Sequence, residues 1–443
     1  MELHDSTSKG KNISITKILS IAVWLIAALF FMYEFFLRTF VGALSHQIIP
    51  QLHLNLETFA LLGSAYYFVY AVMQVPVGII IDKIGIKKTM IFATALCGVS
   101  TLFFASSTNF GMALFSRMLM GFASSFAFIC LLVIARNSFS KKDFGFYAGL
   151  SQLIGTLGPI LAGGPLVMMV KSNGGHWRSI MGIIGLLGFI LTGLSVFFVK
   201  DKTISKKKNF MRVDVKKVKI LKSVKNLFTN KQAWSVAFYS AFNYAPIATL
   251  GAIWGTDFIE SKGISQITAA SAVSAIWIGY AVGCPLMGII SDKLKRRVPV
   301  LVFQGILGTI IGFSLFLPIN NIKILTFIFF MLGIAGGGQN IGFATISECV
   351  EENISSTALG LNNSIMLLTD TFLPFIFGAL VAVVSHGKAV DLIADDFRLA
   401  LLLVPMLYIG STLIAIFFIK ETYCRPQKDV VFVKSNTTNN HLD

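Results

Sequence analysis

Charge is what this chain has least of. Asp, Glu, Lys and Arg make up 13% of its 443 residues, hydrophobic residues make up 55%, and mean hydropathy is +0.75. A soluble globular protein carries roughly 25% charged residues, so a surface facing water on all sides is excluded. Cysteine is scarce as well. Cys97, Cys130, Cys284, Cys349 and Cys424 are scattered, without disulfide-framework or zinc-ligand spacing, and read as reduced packing residues. The six histidines form no sequence cluster, so no metal site is expected. There is no P-loop and no nucleophile elbow. Catalysis and ATP-driven work therefore lack support, and no cofactor is expected. The net charge of +16 does not point to nucleic acid, because no aromatic residues alternate with bases in a folded domain.

What is abundant is long apolar runs. Met181–Val199 and Leu399–Ile419 each hold about 20 residues with no charge, enough to cross about 30 Å of hydrocarbon. Lipid offers a bare backbone no hydrogen-bond partner, so the spans must be helices. The short alternating segments of a transmembrane barrel are missing. Twelve spans are predicted at roughly 18–45, 58–81, 89–106, 111–135, 145–170, 179–199, 233–259, 266–290, 298–317, 324–347, 356–384 and 399–419. No cleavable signal peptide is expected in the polar residues 1–16.

Basic residues set the orientation. With both termini in the cytoplasm, 29 Lys and Arg fall inside, six outside, and two, Arg38 and Arg117, within spans. That bias fixes the topology. Twelve of the 29 sit in residues 200–231, read as a solvated linker near anionic lipid. The tail "SNTTNN" is expected to be disordered.

The chain also repeats itself. "YAVMQVPVGIIIDKI" (Tyr70–Ile84) returns as "YAVGCPLMGIISDKL" (Tyr280–Leu294) at an offset of 210 residues. Each copy is the end of a span followed by a short charged loop. Two homologous six-span halves are implied, the parallel-repeat plan of one class of secondary transporter. The expected organisation is a tail (1–17), a six-helix bundle (18–199), a basic linker (200–232), a second bundle (233–420) and a C-terminal tail (421–443).

"GIIIDKIGIKK" (Gly78–Lys88) resembles the loop 2–3 signature of the major facilitator superfamily, G-x-x-x-D-[RK]-x-G-x-[RK]-[RK]. The second copy, "GIISDKLKRR", carries Lys295 where the second glycine would stand. "RMLMG" (Arg117–Gly121) is similar to the family's fourth-span element, and "HWR" (His176–Arg178) to its entry into span 6. A narrower resemblance is to the sugar-phosphate permease, or organophosphate:phosphate antiporter, branch, through "YEFFLRTFVGAL", "AYYFVYAVMQVPVG" and the span 7–8 segment from Gly251 to Lys293. That branch implies a two-arginine phosphate clamp. Arg38 matches the first arm, while Ala248 stands where the second would be. Related branches carry organic acids, amino acids, short peptides or siderophores.

Polar residues inside spans are the functional candidates, since a charge at mid-bilayer costs a few kcal/mol. Glu34 and Arg38 share one face of span 1 at i and i+4. Either they neutralise each other structurally, or Arg38 binds an anionic group with Glu34 as counter-charge or protonation site. Tyr66, Tyr67, Tyr70 and Gln74 follow Gly63 along span 2, as core packing or as a wet lining. Asn243 and Tyr244 precede Pro246, a residue expected to break span 7 near the midplane. "GGGQN" brings Gln339 and Asn340 to an interruption in span 10, and span 11 carries Asn362, Asn363 and Asp370. Asp370 is a buried acid, either a second proton-coupling candidate or a hydrogen-bonding residue. Arg117 and Gly121 read as structural or coupling residues. "GTLGPILAGG" (Gly155–Gly164) resembles the family's antiporter element, though close packing explains it as well.

The expected cytoplasmic gate comprises Gly78, Asp82, Lys83, Gly85, Lys87 and Lys88 with Gly288, Asp292, Lys293 and Arg297. Gly78 and Gly288 are expected to let helices approach closely. Asp82 should lie by the start of span 11 near Ser355–Thr357, and Asp292 by the start of span 5 near Asp143–Gly145. Together these features predict an all-α integral membrane carrier of the bacterial inner membrane, a monomer, working by alternating access in proton symport or antiport. Its partners would be a small polar solute, the lipid bilayer and protons. A membrane sensor built on the same fold is the alternative.

Overall fold

The computed structural model describes residues 5–139, 141–199, 227–350, 355–388 and 391–425. The linker and the end of the C-terminal tail lie outside them. Every regular element among the described residues is helical.

Spans 1 to 4 are Asp5–Ala43, Leu56–Ile84, Ile86–Ala105 and Phe110–Ser138. Span 5 is Lys141–Ala162 continued by Gly164–Ser172, and span 6 is Trp177–Phe198. Span 7 is Lys231–Thr249, a π-helical turn Leu250–Trp254, and Gly255–Glu260. Spans 8 and 9 are Gln266–Leu294 and Val298–Ser314. Span 10 is Ile322–Gly336 and Gly338–Glu348, span 11 is Ser355–Val384, and span 12 is Arg398–Leu401 with Leu403–Phe417. Eleven of these segments are long and apolar enough to cross a membrane, and span 9 is a shorter apolar helix of 17 residues. At 1.5 Å per residue that gives roughly 25 Å, close to the hydrocarbon thickness.

Helix starts follow side-chain caps. Asn55 accepts from Thr58 N (2.7 Å), Asn109 from Met112 N (2.9 Å) and Asn230 from Gln232 N (2.9 Å), each satisfying amides the helix leaves free. Spans 2 and 3 meet at Gly85, whose φ of +91° suits glycine. Its repeat counterpart, Lys295, keeps the left-handed turn at φ +52° with a side chain attached. The turn thus survives in the second copy where the glycine does not.

The packing mirrors the repeat. Span 2 lies on span 4, span 3 on spans 4 and 6, and span 1 on span 5; span 8 lies on span 10, span 9 on spans 10 and 12, and span 7 on span 11. The halves meet where span 2 packs on span 11, span 5 on span 8, and span 1 on the π-turn of span 7.

The helix of span 1 starts at Asp5, and its apolar, membrane-spanning part is Ile18–Ala43. Three expectations need correction. Pro246 does not break span 7; the helix continues through it, and the irregular turn comes at Leu250–Trp254. Gly288 faces open space, since no atom lies within 4 Å of a β-carbon there, so it is no packing glycine. Span 5 is interrupted at Gly163, at the end of the stretch resembling the antiporter element.

Candidate functional site

At the centre, where spans 1, 2, 7, 8 and 11 converge, the Arg38 guanidinium donates to Glu34 Oε1; both side chains are buried. The i, i+4 spacing makes this pairing local, so it forms without help from other spans. The Tyr66 hydroxyl donates to Glu34 Oε1 at 3.3 Å. Aromatic faces surround the cation: Arg38 Cζ lies 4.4 Å from the Phe35 ring, 4.7 Å from Tyr70 and 5.9 Å from Tyr67. Such contacts hold a desolvated guanidinium by its flat face. Phe35 in turn meets Trp277 of span 8 at 5.8 Å between centroids, so the pair sits against the second half.

From that half come Tyr244 and Tyr280, with ring centroids 5.5 Å apart. Tyr280 donates to Gln339 Oε1 at 2.7 Å, and Asn243 Oδ1 accepts from Gln339 N at 3.1 Å, just past the break in span 10. Asp370 on span 11 is fully buried. Asn363 donates to Gln74 at 2.9 Å across the halves. Tyr67 stands two turns from Gln74 on span 2 and Asp370 two turns from Asn363 on span 11, so in these antiparallel helices the Gln74–Asn363 bond sets the two level with each other.

Several buried polar atoms here have no protein partner: Glu34 Oε2, Arg38 Nε, the Tyr67 hydroxyl, Gln74 Nε2, Asn243 Nδ2, both amide atoms of Asn362 and both oxygens of Asp370. Buried polar atoms are ordinarily bonded, so this concentration makes the region the candidate site. Of the sequence candidates, Arg38, Glu34, Tyr66, Tyr67, Tyr70, Gln74, Asn243, Tyr244, Gln339, Asn362 and Asp370 are all buried. Asn340 is not: it is exposed, about 100° round the helix from Gln339, and does not join them. Ala248 is buried on span 7 and offers no second cation.

Arg117 is fully buried on span 4 and donates to four backbone carbonyls, those of Leu37 (2.5 Å), Leu62 (3.3 Å), Arg38 (3.4 Å) and Gly63 (3.5 Å). It ties spans 1 and 2 to span 4. Gly121, one turn on, brings span 4 against the Tyr66 backbone; a β-carbon there would come within 3.1 Å of Tyr66 Cα.

On the side opposite the termini, three successive residues of the short helix Ser45–Gln51 reach the second half. Ser45 Oγ donates to Asp257 Oδ1 at 2.5 Å, His46 Nε2 lies 3.2 Å from Glu260 Oε2, and Gln47 bonds Gln266 at 3.0 Å. Glu260 lifts the His46 imidazole above its usual value, with burial opposing and Asp257 and Asp391 adding to the rise. The ligand atoms of His46, Asp257 and Glu260 lie within 4.8 Å of one another. Asp257 is bonded to Ser45 and Glu260 to His46, so the group joins the two halves and closes one face of the molecule. None of these contacts was visible in the sequence, where the partners stand 212 to 219 residues apart.

At the opposite end Arg297 is buried. It donates to Glu348 (2.7 Å) and to the exposed Asp292 (2.7 Å), while Glu421 accepts from the amides of Arg297 (2.7 Å) and Val298 (3.1 Å). Lys88 and Lys293 are exposed. The side chains of Gly78, Asp82, Lys83, Asp143–Gly145 and residues 355–356 lie outside the described residues, as does the gate contact expected of them.

A membrane-embedded helical repeat around a buried polar centre is the architecture of a membrane transporter. The chain belongs to the Major Facilitator Superfamily, whose model matches residues 23–368 and 236–431. It is 23% identical over 371 residues to the "Probable galactarate/D-glucarate transporter GarP" of Escherichia coli (strain K12), covering 76% of this chain and 82% of that protein. It is 22% identical to the "Membrane sensor protein UhpC" of the same strain, over 77% of this chain and 80% of that one. The first curated relatives are spanned over 62% to 82% of their own length. Among solved structures, a D-xylose-proton symporter superposes with a TM-score of 0.75 at 13% identity, covering 92% of this chain and 99% of the other. That likeness establishes the fold.

Proposed function

We propose that this transporter moves a small carboxylate-bearing organic solute, zwitterionic or anionic, by alternating access of its two six-helix halves, as a proton-coupled carrier or an exchanger. The observation that carries the reading is Arg38, a buried cation on span 1 set among aromatic faces at the meeting of the halves. A guanidinium matches the two oxygens of a carboxylate bidentately. GarP, by its name, handles sugar diacids, which supports a carboxylate. Ala248 removes the second arm of the phosphate clamp, which sets sugar phosphates behind carboxylates.

The setting proposed is a bacterial inner membrane, with a monomer holding both termini in the cytoplasm; the distribution of basic residues supports the orientation. Uptake and exchange by purified protein in liposomes, over a panel of amino acids, short peptides, organic acids and sugar phosphates, test the proposal. Accumulation of a carboxylate, severely weakened by Arg38→Lys, supports it. Displacement of bound substrate at micromolar levels by glucose 6-phosphate, but by no carboxylate, overturns it. The likeness to UhpC favours a second reading, a sensor. Ligand binding without translocation in the same liposomes would establish that instead.

A further inference from the structure

The two acids of the central site are not equivalent. Glu34 is held by Arg38 and by the Tyr66 hydroxyl. Asp370, 0% exposed, has no hydrogen-bond partner at either oxygen, neither a donor to its charged form nor an acceptor for its protonated form. The other buried arginine near this region, Arg117, is spent on backbone carbonyls. Asp370 therefore waits for a donor that the protein does not provide. The register set by the Gln74–Asn363 bond brings Tyr67, whose hydroxyl is also unpartnered and whose ring lies 5.9 Å from Arg38 Cζ, level with Asp370.

We propose that Asp370 is the ammonium subsite of the central polar site, so that the solute is bipolar: its carboxylate on Arg38, its amine on Asp370, its body along Tyr67. This deepens the carboxylate reading above and rests on it. Partner counting favours it. A simple carboxylic acid bound at Arg38 would leave both Asp370 oxygens without a hydrogen-bond partner in a dry site. Buried unpaired charge is costly. A zwitterion brings its own cation to the acid that has none. An ammonium also supplies up to three donors, where Asp370 offers two free oxygens.

The test uses the full-length purified protein and matched probes: the standard amino acids and alanyl dipeptides, each against the analogue in which hydroxyl replaces the amine. Binding is read by thermal shift and by displacement. Wild type should bind at least one amino compound about tenfold or more tighter than its hydroxy analogue. Asp370→Asn should bring the two within about twofold, while Arg38→Lys should weaken both together. A hydroxy acid bound as tightly as its amino partner by wild type overturns the proposal, and that result does not depend on how any variant folds. An amino preference that survives in well-folded Asp370→Asn overturns it too. Binding of neither class contradicts the carboxylate reading itself, and the proposal falls with it.

Discussion

Substituting Gly42 with alanine should open the side of the molecule opposite the termini. Gly42 faces the π-turn of span 7, and a β-carbon there would lie 2.5 Å from Ala252 O and 2.6 Å from Ile253 Cα. Ordinary contact begins near 3.4 Å, so roughly 0.9 Å of separation is missing. The atoms struck are backbone, so no side chain can swing away. Forcing a methyl into a packed seam costs about 1–3 kcal/mol. Alanine also gains about 1 kcal/mol over glycine in helix propensity, but that gain is common to both conformations and cancels from their ratio. Separation of the halves relieves the clash, so the closed-to-open ratio on this face should fall roughly 5- to 150-fold. The reporter is Thr39→Cys, 3% exposed in the same seam. A membrane-impermeant thiol reagent added from this side should label it slowly alone and much faster with Gly42→Ala, and transport should slow. Unchanged labelling would refute the assignment of this seam as a gate.

Other expectations are narrower. His46 should make the same face pH-sensitive: its pKa is raised from 6.5 when docked on Glu260, so closure is supported below about 6.5 and loses that support as pH rises through the raised value. Thr39→Cys labelling should therefore climb on alkalinisation, and His46→Gln should flatten the climb; an identical pH profile in the variant would contradict the docking role. If Glu34 carries the coupling proton, Glu34→Gln should abolish gradient-driven accumulation yet leave exchange or binding, so full accumulation in that variant would place coupling elsewhere. Arg117→Leu leaves four carbonyls without their shared donor and should destabilise the fold by about 3 kcal/mol or more, read as thermal unfolding in detergent. Lys295→Gly should be neutral to about 1 kcal/mol stabilising, because φ is +52° there; a clear loss would show that the lysine side chain matters more than its backbone.

The parts of this molecule legible in its sequence are those set by local chemistry. Hydropathy gave the spans because lipid forces backbone bonds inside each segment, and a fixed i, i+4 spacing made the Glu34–Arg38 pairing readable without any neighbour. The repeat exposed Ala248 and the matching turns at Gly85 and Lys295. What stayed hidden depends on which surfaces meet. Ser45, His46 and Gln47 look like ordinary loop residues until span 7 and span 8 are laid against them. Asp370 and Glu34 look alike as intramembrane acids; only packing reveals that one oxygen of Glu34 is paired with Arg38 and Tyr66 while both of Asp370 are bare. Pro246 misled because proline's missing amide is tolerated where neighbouring helices support the turn. Asn340 misled because one residue of rotation carries a side chain from the buried face to an exposed one.

Alternating access requires that the face closed by Ser45–Asp257 come apart in every cycle. Ser45→Cys with Asp257→Cys, in a background with the five native cysteines replaced, places two thiols where hydroxyl and carboxylate oxygens now lie 2.5 Å apart. The measurement is solute flux through proteoliposomes before and after joining them with a short bifunctional thiol reagent, and again after reduction. Loss of flux on joining and its return on reduction is the predicted result. Full turnover with the two halves held together on this face would contradict it.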